Sequence, residues 1–195
     1  FGRVFTASLF LMLVAVALRR SLPIRQYAGH FMLLSFFNTA LPFLLFAYAA
    51  QTLTASLLAV LNATAPLWGA FIGWLFFRQA MSVKVAAGLL LGISGVAILV
   101  GFDAVLADST ALPAIAAAAG AACCYGIATW YTRLAKPVPA FTNAHGNMWG
   151  ATLWLLPLLW FMPLPVAQPA AQSLYAVLAL GVVCTGVAYM LYFRL

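Results

Sequence analysis

The sequence predicts an all-α membrane protein, a polytopic helix bundle with seven transmembrane helices present. Three observations carry this. Hydrophobic residues make up 67% of the 195 residues and charged ones only 6%, against roughly 25% charged in a soluble domain. The charged residues divide the chain into uncharged runs at 4–18, 26–77, 85–102, 109–132 and 137–193, and about 20 apolar residues suffice to cross a bilayer. Finally, the basic residues gather in alternate loops.

Span A, 4–18, is followed by Arg19 and Arg20. A secretory signal carries its basic residues before the apolar stretch, so this is a retained span with a cytoplasmic flank. No Met opens the chain and it stops at Arg194-Leu195 on a helix end, which reads as a piece of a longer protein. The runs 26–77 and 137–193 are too long for one crossing and read as helix hairpins. Gln51-Thr52 divides the first into span B, 28–49, and span C, 53–77. The stretch from Pro163 and Pro165 to Gln172 divides the second into span F, 140–162, and span G, 173–193. Spans D, 83–101, and E, 112–134, fill the two remaining runs.

Small residues show where the helices pack. Ala65, Gly69 and Gly73 form a stripe on C; Gly88 and Gly92, with Gly95 close by, mark D; Gly146 and Gly150 mark F. In lipid, helices gain little from the hydrophobic effect, and close backbone approach supplies the van der Waals contact instead. Span E, with Ala116 to Ala119 and Gly120 to Ala122, reads as a tightly packed central helix. Tyr27, Trp74, Trp130 and Tyr131 fall near span ends, where aromatic belts belong. Cys123, Cys124 and Cys184 lie in apolar stretches and read as small hydrophobes.

The formal net charge of +7 is a topology signal and not a nucleic-acid footprint. Arg19, Arg20 and Arg25 lie in the A–B loop, Arg78 and Lys84 in C–D, Arg133 and Lys136 in E–F, and Arg194 after G. The B–C and F–G loops carry no charge, and D–E carries the two acids, Asp103 and Asp108. With strict alternation, eight of the nine basic residues share one side, which the positive-inside rule makes cytoplasmic. The Asp103–Asp108 loop is then periplasmic or extracellular, and the membrane an inner one.

Two polar helix breaks point to a function. Asn38 and Pro42 on B, and Asn62 and Pro66 on C, share the same four-residue offset, with Thr39 and Thr64 beside the asparagines. Proline removes one helix hydrogen bond and frees the carbonyl four residues back, here an asparagine's. Lipid cannot satisfy such groups, so a break at membrane depth must face protein or a wet cavity. At 1.5 Å per residue, Asn38 lies about ten residues into B and Asn62 about nine into C, both near the bilayer centre. Two such breaks on neighbouring helices suggest a midplane substrate site of the transporter type. The bland reading stands beside it: buried Asn can simply bond a neighbouring helix, worth on the order of 0.6–2 kcal/mol.

An internal repeat supports the transporter reading. With Thr39 placed on Thr185, Phe43 falls on Tyr189, Leu45 on Leu191 and Phe46 on Tyr192. Spans B and G are five helices apart, and an odd number of spans per repeat inverts the second copy. The expected parent has ten spans, of which this chain holds the second to the eighth.

The stretch from Thr54 to Val100 resembles the EamA module of the drug/metabolite transporter superfamily. The residues that carry the resemblance are Ala55 to Leu58, Pro66-Leu67, the aromatic run Trp74 to Phe77, a short basic loop, Gly88, and Gly92 to Leu99. Gly181 to Tyr189 is similar to the third helix of that family's second module. The resemblance implies two inverted five-helix modules, with residues 1–101 as most of the first (helices 2–5) and 112–195 as part of the second (helices 6–8). It also implies that spans B, C, E and G line a central cavity. Where the family usually carries Glu after its fourth helix, this chain has Gln79, so no carboxylate role transfers to that position.

The candidate cavity residues are therefore Asn38, Thr39, Asn62, Thr64, Tyr125, Thr129, Thr185 and Tyr189, with Pro42 and Pro66 as helix breaks. Taken singly, each hydroxyl more often bonds its own helix backbone or a neighbouring helix. His145, with Asn143 and Asn147 early in F, and His30 at the start of B read as interfacial residues rather than proton carriers. No Asp or Glu lies inside a span, so the intramembrane acid typical of proton relays is missing from this stretch. No metal cluster, phosphate-cradling loop or nucleophile–base pair stands out, and nothing calls for a cofactor or an enzyme. Span G has no lysine for a retinal Schiff base. The expected function is secondary transport of a small organic solute (metabolite, amino acid or drug) across the inner membrane, in the efflux direction by alternating access. The alternative is a channel-like or seven-helix receptor-like membrane protein. The expected partners are the solute and the lipid bilayer.

Overall fold

The computed structural model describes residues 1–19, 23–78, 82–102, 111–161 and 171–187. Asp103, Asp108, Gln79, Arg20, Arg194, Tyr189 and the F–G divide at 163–170 lie outside the described residues, and so do the side chains of residues 171–174 and Thr185. Every described element is helical. Three helical stretches are long and apolar enough to cross a membrane: Ile24–Ala49, Ala55–Phe77 and Ala111–Leu134. Their lengths and hydropathy match spans B, C and E. The chain divides into two compact units, one of Phe1–Ala40 with Lys136–Leu195 and one of Leu41–Ala135.

In the first unit, α1 (Gly2–Ala17) buries Val4, Ala7, Ser8, Leu11 and Ala15, a single stripe at three- and four-residue steps. It packs on α8 (Ala140–Leu155) and on the later elements α10 (Ala171–Leu178) and a π-helical segment at Ala179–Val187. The other neighbours of α8 are α2 (Ile24–Ser35) and a π-helical turn at Phe36–Ala40. A short α9 (Leu158–Phe161) follows α8 after Pro157. The glycine stripe of span F makes the α2–α8 contact possible. A Cβ on Gly146 would collide with the Phe31 ring, and one on Gly150 with Ser35. Helix α8 buries ten of its residues, Asn147 and His145 among them, and is the interior helix of this unit.

The α8 polar groups are spent on neighbours. Asn147 Nδ2 donates to Thr39 Oγ1 at 2.9 Å, His30 Nε2 pairs with Asn143 Oδ1 at 2.9 Å, and the Thr152 and Ser8 hydroxyls meet at 3.0 Å. The Trp149 indole N–H donates to His145 Nε2 at 3.0 Å. An indole only donates, so Nε2 is an acceptor and the ring carries its proton on Nδ1. His145 is buried within this unit, 5% exposed, and accepts from a tryptophan one turn along.

The second unit is built round α7 (Ala111–Leu134). It packs on α3 (Leu41–Ala49), α4 (Ala55–Asn62) and α5 (Ala65–Phe77), while α6 (Val83–Phe102) meets α4 and α5. Ala114 and Ala118 of α7 close a core with Ala49, Leu53, Leu57 and Leu61. The central role expected for span E therefore holds within this unit. Gly126 shows how close the approach is: a Cβ there would sit 2.9 Å from the backbone nitrogen of Gly69 and 3.0 Å from the Trp68 carbonyl carbon. Of the α6 glycines Gly88, Gly92 and Gly95, Gly92 meets Leu67, whereas a Cβ on Gly88 or Gly95 would meet open space.

The two proline steps resolve differently. The helix through Pro42 runs on, with a π-helical turn at Phe36–Ala40 directly before it. In the wider turn carbonyls reach donors five residues on, which accommodates the donor that proline lacks. At Pro66 the chain tightens instead: Thr64 N–H donates to Leu61 O at 3.1 Å and Leu67 N–H to Thr64 O at 2.8 Å. Helix α4 ends at Asn62, and α5 restarts with proline in its first turn, where a missing N–H costs nothing.

Candidate functional site

The second unit carries an open cavity of about 600 Å³ between α5, α7 and the start of α6, with Trp74, Ser82, Thr129 and Arg133 exposed along it. Its lining follows from two helical stripes. Pro66, Ala70 and Trp74 recur every four residues on α5, and Tyr125, Thr129 and Arg133 do the same on α7. Such spacing places each trio on one helix face. Small residues on the α5 side (Ala65, Gly69, Ala70) make room, and the aromatic rings of Trp74, Tyr125 and Trp130 supply walls.

Trp130 is fixed from several sides. Its indole N–H donates to the Gly69 carbonyl at 2.6 Å, and its ring stacks on Phe77 with centroids 4.5 Å apart and planes 11° from parallel. A Cβ on Gly73 would run into the same indole, so the glycine stripe of span C is the seat of this tryptophan. The Arg133 guanidinium carbon lies 5.2 Å from the Trp130 ring centroid, within cation–π range. Tyr125 stacks against Phe46 of α3, with centroids 6.4 Å apart.

The polar capacity of the cavity is small and specific. Thr129 donates its hydroxyl proton to the Tyr125 carbonyl at 2.8 Å, which leaves its oxygen to accept. Ser82 accepts from Val85 N–H at 3.3 Å and keeps its own proton to donate. Arg133 adds a guanidinium fork, and no acidic residue lies among the lining.

The predicted residues sort by unit. Pro66, Tyr125 and Thr129 line the cavity. Asn62 and Thr64 belong to the same unit but not to the lining: Asn62 is exposed at the end of α4, and the Thr64 hydroxyl donates to the Leu61 carbonyl at 2.6 Å. In the first unit, Asn38 is half-buried in the π-helical turn and Thr39 is buried against Asn147. The backbone of Thr185 falls in the second π-helical segment. Thr39 and Thr185, paired in the repeat, thus both occupy π-helical backbone. Pro42 is fully buried in α3.

Sequence reasoning missed Trp74, Ser82, Trp130 and Arg133. The two tryptophans read as belt residues and the arginine as a loop charge. One signal was legible: the four-residue stripe that joins Tyr125 to Thr129 reaches Arg133 at its next step.

The model of the EamA-like transporter family matches residues 1–101, about half of the chain. No curated protein and no solved structure matches it.

Proposed function

Because this chain belongs to the EamA-like transporter family, a family of membrane transporters, we propose that it moves a small organic solute across the inner membrane by alternating access, in the efflux direction. The solute binds in the cavity of the 41–135 unit. One observation carries this reading: a cavity of about 600 Å³, within the range of small-molecule sites, combines mostly apolar walls with a few convergent polar groups. Tyr125 and Trp74 offer faces to the apolar part of the solute, while Thr129 and Ser82 offer one acceptor and one donor. Asn62, at the helix break before Pro66, and, in the other unit, Asn38 are proposed separately as polar groups that serve transport outside this lining.

The test is counterflow by the full-length protein in liposomes, with solutes drawn from a resistance screen on cells that overproduce it. A carrier is stimulated by solute on the far side, and a channel is not. Thr129→Trp fills the cavity and should abolish exchange while the amount of inserted protein stays the same. Undiminished exchange by this variant would remove the cavity from the transport path. Asn38→Leu and Asn62→Leu should lose transport if these residues serve the solute, and keep it if they serve packing alone.

A further inference from the structure

The cavity also selects its ligand by charge. Resting on the reading of this cavity as the solute site, we propose that its ligand is an anion, a carboxylate carried on a flat apolar body, with Arg133 as the carboxylate-binding residue. The walls dictate the body. Trp74, Tyr125 and Trp130 are large flat faces, and Ala70 and Gly69 leave the space between them open.

Arg133 dictates the charge. Its guanidinium lies by the Trp130 ring, and that ring is held in place by the Gly69 carbonyl and Phe77. A guanidinium positioned in this way presents donors in a planar fork, the geometry that accepts a carboxylate through two parallel hydrogen bonds. The described residues supply no carboxylate of their own, since the chain's two acids, Asp103 and Asp108, fall outside them. A cationic ligand would meet like charge with no acid among the described residues to offset it. A zwitterion would find a charged partner for its carboxylate and, among the described lining residues, no charged partner for its ammonium. Ser82 and Thr129 add one donor and one acceptor for a hydroxyl or carbonyl on the body.

Three probes with one nitrophenyl body test this on the full-length protein in nanodiscs: 4-nitrobenzoate, neutral 4-nitrobenzyl alcohol and cationic 4-nitrobenzylamine. Binding is read by tryptophan quenching, and occupancy of the cavity by protection of a cysteine at Thr129, in a background without native cysteines, from a methanethiosulfonate reagent. The benzoate should bind at least about tenfold more tightly than either analogue, the gain expected of one charge-assisted contact, and the advantage should shrink as salt is raised. Arg133→Gln should erase the preference, leaving benzoate no tighter than the alcohol, while Arg133→Lys should keep part of it. Equal binding of benzoate and alcohol, or tightest binding of the amine, overturns the anion proposal and leaves the cavity standing as a binding site. If no probe protects the cysteine while the protein still exchanges a solute, the cavity reading fails and the anion proposal with it. Should Arg133→Gln not fold, the ranking of the three probes on the unaltered protein and on Arg133→Lys decides.

Discussion

Gly126 and Gly73 show what single atoms decide in this bundle. A methyl group at Gly126 would press on the Gly69 and Trp68 backbone, which cannot step aside as a side chain can. Gly126→Ala should therefore part α5 from α7 and cost about 1–3 kcal/mol, the usual penalty of overpacking. Thermal unfolding in detergent measures it, and an unchanged midpoint would mean that the two helices do not touch there. At Gly73 the atoms nearest a new methyl belong to the Trp130 indole, a side chain, so Gly73→Ala should cost less and report locally, as a shift in tryptophan emission. Asn147 poses a different question. Its amide nitrogen is bonded to Thr39, yet its oxygen is buried with no hydrogen-bond partner among the described residues. Asn147→Leu loses a bond worth on the order of 0.6–2 kcal/mol but removes an orphaned acceptor that costs on the order of 1–3 kcal/mol. The variant should be about as stable as the parent. Asn147→Asp buries a charge at the same place and should be far less stable; a reversed order in thermal unfolding would refute this account of the pair.

At the scale of elements, the two prolines share a spacing and differ in their effect. Pro66 sits in the first turn of α5, where its missing N–H had no partner to lose, so Pro66→Ala should change stability by less than about 1 kcal/mol. Pro42 lies inside the stretch Ile24–Ala49, two residues past the end of a π-helical turn. Pro42→Ala restores the donor, so the π turn should revert to α-helix and shift the side chains before it round the axis. Cross-linking of cysteine pairs between α2 and α8 should then change register. The same register in both proteins would show that Pro42 does not cause the π turn. Helix ends carry a related signature. Arg19 and Arg78 have φ of 50° and 49°, in the left-handed region usually left to glycine at a helix C-terminus. Both are basic residues on the expected cytoplasmic side, and positive charge favours the C-terminal end of the helix dipole.

At the scale of the molecule, the chain is a multi-pass membrane protein of helices whose apolar side chains face outward as well as inward. Leu13, Val16, Leu90, Leu91 and Trp160 are all more than half exposed, which in water would be a liability and in lipid is ordinary surface. The sidedness proposed for its loops rests on charge alone and can be tested directly. In a background without native cysteines, which matters because Cys184 is exposed, a cysteine at Asp103 or Asp108 should react with an impermeant thiol reagent in intact cells. A cysteine at Arg20 or Lys136 should react only after lysis. The opposite pattern would invert the topology, and labelling of both sets from outside would end the alternating model.

The class, the family and the succession of helical stretches were legible in the chain, because composition, uncharged run length and basic flanks are properties of residues taken in order. The sequence also marked the packing surfaces where small residues recur, and Gly126, which it did not single out, became legible only opposite Gly69. Tertiary structure decided which polar groups serve neighbours and which face a cavity. Thr39 and Thr129 are both threonines in apolar helices, yet one is bonded to Asn147 on another helix while the other lines open space. That choice depends on what stands opposite each residue. The same holds for Trp130, whose place in the cavity wall follows from the bare Gly73 and the Gly69 carbonyl across from it, residues far from it in the chain and next to it only once α5 and α7 have packed.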